Sequence, residues 1–317
     1  MEKNINKLFV KEKLYKLKIL ILEMRKEVES IRRDPNLKES LIKGNLVPFI
    51  CLVTGASSGL GKVLAELLCE KGHKVYVVAR RKNLLEQLKK DCEKLEGEIK
   101  IISGDLIDIK FREKIISTII EKEKRIDYVF NNAGFGKATL LENQDSEMIK
   151  NMLEVNVNSY VHLTSMALKY MKKENKGRII NTGSVVTFTP LPYFTVYNLT
   201  KSAVYGFNRS LMYELRDSNI TTTVVLPARM KTDFAKTAFH CNNNETKQMC
   251  VERFNKVAGD PRIVAKKIVK NMDKGKEVIT PTFGAKLWYF MRYFGFVVDF
   301  VMKKFIAPKQ LEDIKKM

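Results

Sequence analysis

Tyr197 and Lys201 stand four positions apart in the stretch YNLTK, and Ser184 precedes them in the same part of the chain. Residues four apart share one face of a helix, so the phenol and the ammonium are expected side by side. A free tyrosine titrates near pH ~10 and handles protons poorly at neutral pH. A nearby ammonium favours the phenolate and lowers that value. The expected chemistry is therefore proton transfer to or from a reacting oxygen. Ser184 ends the strand-like run GRIINTGS. Its hydroxyl can hydrogen-bond the same oxygen and steady the charge that develops there. A tyrosine and a lysine at this spacing occur in many helices, so their meaning depends on what surrounds them.

A second group of residues supplies that context. TGASSGLG, Thr54 to Gly61, joins a continuous apolar run, VPFICLVTG, to a helical pattern over 61–71. Gly55 permits a tight turn, Gly59 lets backbone approach a ligand, and Gly61 allows close helix packing. The backbone N–H groups of Ser57, Ser58, Gly59 and Leu60, with the helix dipole behind them, favour a pyrophosphate. The next strand-like run ends VVARRKN. A carboxylate there would bond the adenosine ribose hydroxyls of NAD. Arg80 and Arg81 instead offer guanidinium groups where a 2′-phosphate would sit. NADP, with NADPH as donor, is the expected cofactor.

The elements needed to hold these groups follow in alternation. Strand-like runs are VPFICLVTG, HKVYVVAR, EIKIISGDL, IDYVFNNAG, GRIINTGSV, ITTTVVLP and KEVITPT. Helical patterns fall at 61–71, 84–95, 111–122, 146–171, 197–216 and 261–274, and residues 233–260 are polar and ambiguous. Such alternation implies an α/β fold, a doubly wound parallel sheet of the Rossmann type. Residues 46–283 read as one dinucleotide-binding catalytic domain. Residues 1–45 read as an N-terminal amphipathic helix with apolar positions alternating four and three apart. Residues 284–317 read as an aromatic, amphipathic C-terminal segment. It is expected to cover a substrate pocket, form a dimer face or lie on a membrane.

Taken together, these motifs resemble the short-chain dehydrogenase/reductase family over about residues 48–282. The residues that carry the resemblance are Thr54–Gly61, Gly104–Leu106, Asn131–Gly134, Asn156, Ser184, Tyr197 with Lys201, and LPARMKT after the sixth run. The resemblance implies that Asp105 contacts adenine beside Leu106, and that Asn132, Ala133 and Gly134 line the cofactor. It implies that Pro227 and Thr232 lie beside the nicotinamide. Lys201 would reach the nicotinamide ribose, and Asn156 would hold a water linking that lysine to solvent. The implied activity interconverts a carbonyl and a secondary alcohol by hydride transfer, with Tyr197 as general acid/base. The apolar residues around Phe188 and Tyr193, and the aromatic tail, suggest a hydrophobic substrate, steroid-like or long-chain acyl. The alternative is a non-catalytic NADP-binding scaffold or redox sensor. Members of the family are often homodimers or homotetramers.

Composition narrows the setting. The 317 residues include 57 Lys and Arg against 36 Asp and Glu, a formal net charge of +21. Such an excess favours acidic partners: nucleic acid, anionic membranes or phosphorylated ligands. The basic residues are spread along the chain and no nucleic-acid signature is present, so nucleic acid is not expected. Five cysteines with no CxxC pair argue against a disulfide framework and fit a reducing cytoplasm. His240, Cys241 and Cys250 match no zinc spacing, and no metal is expected. His73 and His162 are read as structural. Neither LKILILEM nor the tail, interrupted by Lys286, Arg292 and Asp299, is a membrane span, but either could hold the protein peripherally on an anionic surface.

Overall fold

The computed structural model describes residues 47–239 and 244–308. The helix expected over 1–45 lies outside them, as does most of the expected Asn242–Asn244 turn. Seven short apolar runs form β1 (Ile50–Thr54), β2 (Lys74–Ala79), β3 (Glu98–Ser103), β4 (Tyr128–Asn131), β5 (Gly177–Thr182), β6 (Ile220–Val225) and β7 (Val278–Ile279). They make one sheet in the order β3-β2-β1-β4-β5-β6-β7, every neighbour parallel. The order reverses between β1 and β4, so the C-terminal edge opens a crevice there, the usual ligand position in an open α/β sheet.

Buried strands alternate their side chains between two cores. Cys51 and Val53 face one layer, with α1 (Gly59–Glu70), α2 (Lys82–Asp91) and α9 (Pro261–Asn271). Ile50 and Leu52 face the other, with α3 (Ile109–Glu123), α5 (Ser159–Lys173) and α6 (Thr195–Glu214). Helix α1 fixes itself through Leu64 and Leu68, both essentially inaccessible, each contributing about 1.5–3 kcal/mol. Aspartates start several helices. Asp108 accepts from Lys110 N at 2.8 Å, and Asp260 accepts from Arg262 N at 2.7 Å with Pro261 in the first turn.

Three segments differ from their sequence expectation. The helix expected over 146–171 is interrupted. α4 (Ser146–Leu153) passes into a π-helical turn, Glu154–Asn158, before α5 begins. The ambiguous stretch 233–260 contains α7 (Phe234–Ala238) and α8 (Asn244–Lys256). The aromatic tail is two helices rather than one, α10 (Phe283–Met291) and α11 (Gly295–Val301), followed by a π-helical turn at Met302–Ile306. The described residues from Phe49 onward form one compact unit by backbone contacts.

Candidate active site

The turn from β1 into α1 is built around close backbone approaches. Gly55 has φ +69°, and a Cβ there would lie 2.7 Å from Ala133 Cα. A Cβ on Gly61 would lie 2.3 Å from Gly55 O. Only glycine fits either place. Ser58 occupies the N-cap of α1 without capping it through its side chain. Its hydroxyl, with that of Ser57, accepts from Arg81 instead, both at 2.9 Å from Nη2. The first-turn N–H groups are left to a ligand and a guanidinium stands over them. These residues fit the pyrophosphate of a dinucleotide.

The neighbouring strand ends complete that side. Asp105 accepts from Ile107 N at 3.1 Å and lies 3.6 Å from Arg80. Leu106 is buried beside it. Thr54, which opens the glycine motif and to which the sequence alone assigns no role of its own, ties β1 to β4. Its hydroxyl accepts from Asn132 N at 2.9 Å and Ala133 N at 3.1 Å, while Asn132 Nδ2 donates to Thr54 O at 3.0 Å.

Behind Asn132–Gly134 stands the π-helical turn. It points the fully buried Asn156 inward, and its amide clamps Phe135. The amide oxygen accepts from Phe135 N at 3.0 Å, and its nitrogen donates to Phe135 O at 2.8 Å and Thr200 Oγ1 at 3.1 Å. Thr200 in turn donates to Tyr197 O at 2.8 Å. Asn156 is thus braced against the helix bearing Tyr197 and Lys201. π-turns of this kind recur at functional sites, and no periodicity in the sequence signalled this one.

Ser184, Tyr197 and Lys201 come together at the C-terminal edge of β5. Ser184 follows the strand directly, and its hydroxyl accepts from Val186 N at 3.3 Å. The Tyr197 phenol faces Ser184, whose hydroxyl acts to lower its proton affinity. Lys201, 3% exposed, donates to Thr182 O at 2.8 Å. Its Nζ sits 5.6 Å from the Tyr197 ring centre and 5.7 Å from that of Tyr160. A Cβ on Gly134 would lie 3.5 Å from the same nitrogen. Thr182 and Tyr160, which also donates to Ala133 O at 2.9 Å, were not singled out from sequence; a main-chain acceptor leaves no mark on residue type.

The electrostatics differ from the expected lysine effect. Burial drives the Tyr197 phenol well above the ordinary tyrosine value, and the Ser184 bond only partly opposes it. Tyr197 keeps partial exposure as a residue, and desolvation around its phenol is the leading cause of the shift. Burial also pushes the Lys201 ammonium down to about 8. Desolvation disfavours whichever form is charged, so one cause moves the two groups in opposite directions. For the phenol, burial is the leading cause, and the effect expected from the ammonium does not set its direction.

One wall of the site is aromatic. Phe194 and Phe234 lie 6.0 and 5.3 Å from Tyr197 between ring centres, and Phe254 packs on Phe234 at 6.4 Å. Tyr193 is buried and holds φ +66°, a strained value for a tyrosine. Phe188 turns away from this wall to pack on Tyr205 and Tyr289 at 5.0 and 5.6 Å. Thr232 lies against the phosphate loop, where a Cβ on Gly59 would be 3.0 Å from its Cγ2. Pro227 O accepts from Val185 N at 3.2 Å, joining the loop after β6 to the Ser184 turn. His73 is buried beside Phe49, away from the site, and burial lowers its proton affinity. His240 and Cys241 lie outside the described residues.

Comparison with known proteins agrees with this arrangement. The model of the short chain dehydrogenase family matches residues 50–243. The 3-ketodihydrosphingosine reductase of Bacteroides thetaiotaomicron is 32% identical over 187 residues, covering 59% of this chain and 66% of that protein. The 11-beta-hydroxysteroid dehydrogenase-like 3 of Arabidopsis thaliana is 32% identical over 210 residues, covering 65% of this chain and 66% of that protein. The match thus spans just under two thirds of either relative. A short-chain dehydrogenase from Sphingobium yanoikuyae, solved in complex with NADPH, is 25% identical with a TM-score of 0.68, covering 81% of this chain and 96% of that one. With the family model matched across most of the sheet and its crevice, this chain belongs to the short-chain dehydrogenases, NAD(P)-dependent oxidoreductases.

Proposed function

We propose that the protein is an NADP-dependent carbonyl reductase in which Tyr197 is the general acid, running as an alcohol dehydrogenase in reverse. A bound NADPH would supply a hydride to the carbonyl carbon. Tyr197 gives its proton to the carbonyl oxygen, completing the secondary alcohol, and recovers one from solvent. Ser184 donates to that oxygen and steadies its charge as the proton moves. Lys201 holds the nicotinamide ribose, its place fixed by Thr182 O, and Asn156 keeps the cofactor-lining backbone and the helix of Tyr197 in register. The observation that carries this reading is the desolvated Tyr197 phenol beside Ser184, with the buried Lys201 amine 5.6 Å from its ring centre.

Two finer points belong to the same proposal. Arg81, held over the phosphate loop by Ser57 and Ser58, favours a 2′-phosphate and hence NADP. The Phe194–Phe234–Phe254 wall favours an apolar substrate, a long-chain or steroid-like ketone. The names of the Bacteroides and Arabidopsis relatives agree with that class.

The test is NADPH oxidation followed with a panel of long-chain and steroidal ketones. Tyr197→Phe is expected to lower turnover by about 10²–10⁴-fold while NADPH still binds and quenches protein fluorescence as in the wild type. Unchanged turnover in that variant would reject the assignment.

A further inference from the structure

The two C-terminal helices anchor themselves by one side only. Ala285, Trp288 and Tyr289 of α10 pack against Val185, Phe188 and Leu226, and Val298 and Met302 are buried farther on. The outward positions carry Phe283, Phe290, Tyr293, Phe296, Phe300 and Phe305, between 55% and 83% exposed. Among the described residues, every exposed phenylalanine falls in this segment. Single exposed apolar residues are ordinary, but a concentration of rings on consecutive helices marks an interaction surface.

Charge identifies what fits it. Residues 283–306 hold Lys286, Arg292, Lys303 and Lys304 against one acid, Asp299. The cations lie over the rings themselves. The Arg292 guanidinium is 3.6 Å from the Tyr289 ring centre and 4.1 Å from that of Tyr293, and Lys304 Nζ is 5.4 Å from that of Phe300. A twofold contact with a second copy would set this basic patch against itself. A bilayer surface suits it better: rings settle at headgroup depth, while lysine and arginine reach anionic phosphates from apolar stems. With nine and seven residues, neither helix can cross a bilayer, which needs about 20. They would lie in its surface.

We propose that residues 283–306 are a docking face for anionic membranes, with the aromatic stripe of α10 and α11 inserted among the headgroups. Docking does not depend on which ketone the enzyme reduces. It would bring the wall formed by Tyr289, Phe188 and the Ser184 turn close to the lipid.

Flotation of the full chain with phosphatidylcholine vesicles, with and without phosphatidylserine, tests this directly. The protein is expected to float with the phosphatidylserine vesicles at low salt and far less with neutral ones. Trp288, the only tryptophan, is expected to shift its emission to the blue on binding. Phe296→Ser with Phe300→Ser and Phe305→Ser leaves the charge unchanged and should weaken partitioning by about tenfold or more. Lys303→Glu with Lys304→Glu should remove the preference for phosphatidylserine. Failure to float would overturn the proposal. So would undiminished flotation of the serine variant, since the charge of the whole chain would then be sufficient. A dimer in gel filtration that the serine variant converts to monomer, without vesicle binding, would give the face to a second copy and overturn the proposal equally.

Discussion

Replacing Lys201 by methionine should change how stability depends on pH, by an amount the site itself sets. The amine is 3% exposed, and among the described residues no carboxylate pairs with it; Thr182 O is its hydrogen-bond acceptor. Burial lowers its pKa from 10.5 to about 8. That fall is worth about 3 kcal/mol, at about 1.36 kcal/mol per pH unit. The sign follows from proton binding. Between pH 8 and 10.5 the unfolded chain keeps a proton that the folded chain has released, so stability attributable to this group rises with pH across the window. Below pH 8 both states are protonated and the contribution is flat. Methionine has a similar length and cannot titrate. Urea unfolding of the cofactor-free protein, followed by far-ultraviolet circular dichroism at pH 7, 9 and 10.5, gives the difference between wild type and Lys201→Met with other titrations largely cancelled. The difference should move by about 3 kcal/mol in favour of the wild type between the lowest and highest pH. Parallel pH profiles would mean that the folded protein holds the ammonium as easily as water does. The account of the site as a dry pocket would then fail.

Two further substitutions probe the cofactor crevice and the core beneath it. Arg81→Ala removes the guanidinium over Ser57 and Ser58 and should weaken NADPH binding about ten- to a hundredfold with NADH binding little changed; fluorescence titration with both dinucleotides checks this, and equal losses would make Arg81 a support for the loop only. Asn181→Ala deletes the centre of a buried polar ladder, in which Asn181 accepts from Asn131 at 2.9 Å and donates to Asn208 at 3.0 Å. It should cost about 2–4 kcal/mol in urea unfolding, and a cost below about 1 kcal/mol would show that the ladder contributes little.

The sheet and the phosphate loop were legible because they are written in residue type. A strand buried on both faces needs a continuous apolar run, and Ile50–Thr54 has one; a backbone at φ +69° beside another backbone needs glycine, and Gly55 is there. What stayed hidden depends on quantities that residue type does not carry. The π-helical turn at Glu154–Asn158 adds one residue to a helical circuit, which an average period of 3.6 cannot register. It also depends on a partner distant in sequence. Arg112, itself buried, reaches Glu154 at 2.5 Å. The break between α10 and α11 had a visible clue in Gly295, overridden by the density of apolar residues on both sides. Neighbours in YNLTK were readable; their depth was not, and depth decides the proton affinities.

Those affinities bear on the direction of the proposed reaction. Below pH 8 the buried Lys201 is an ammonium, and a phenolate beside it would be a second desolvated charge, whereas the neutral phenol adds none. The resting site is therefore loaded with a proton on Tyr197. An alkoxide forming at the carbonyl oxygen is far more basic than a phenolate, so in the proposed reaction the phenol would still yield its proton at the moment it is needed, with the Ser184 hydroxyl softening the charge left behind. Oxidation would instead have to begin by creating the phenolate in the same enclosed volume. In the proposed reaction a site desolvated to this degree would favour donation, with Phe194 and Phe234 packed on the Tyr197 ring. Opening the wall, rather than altering the phenol, is the change that would bring the two directions closer together.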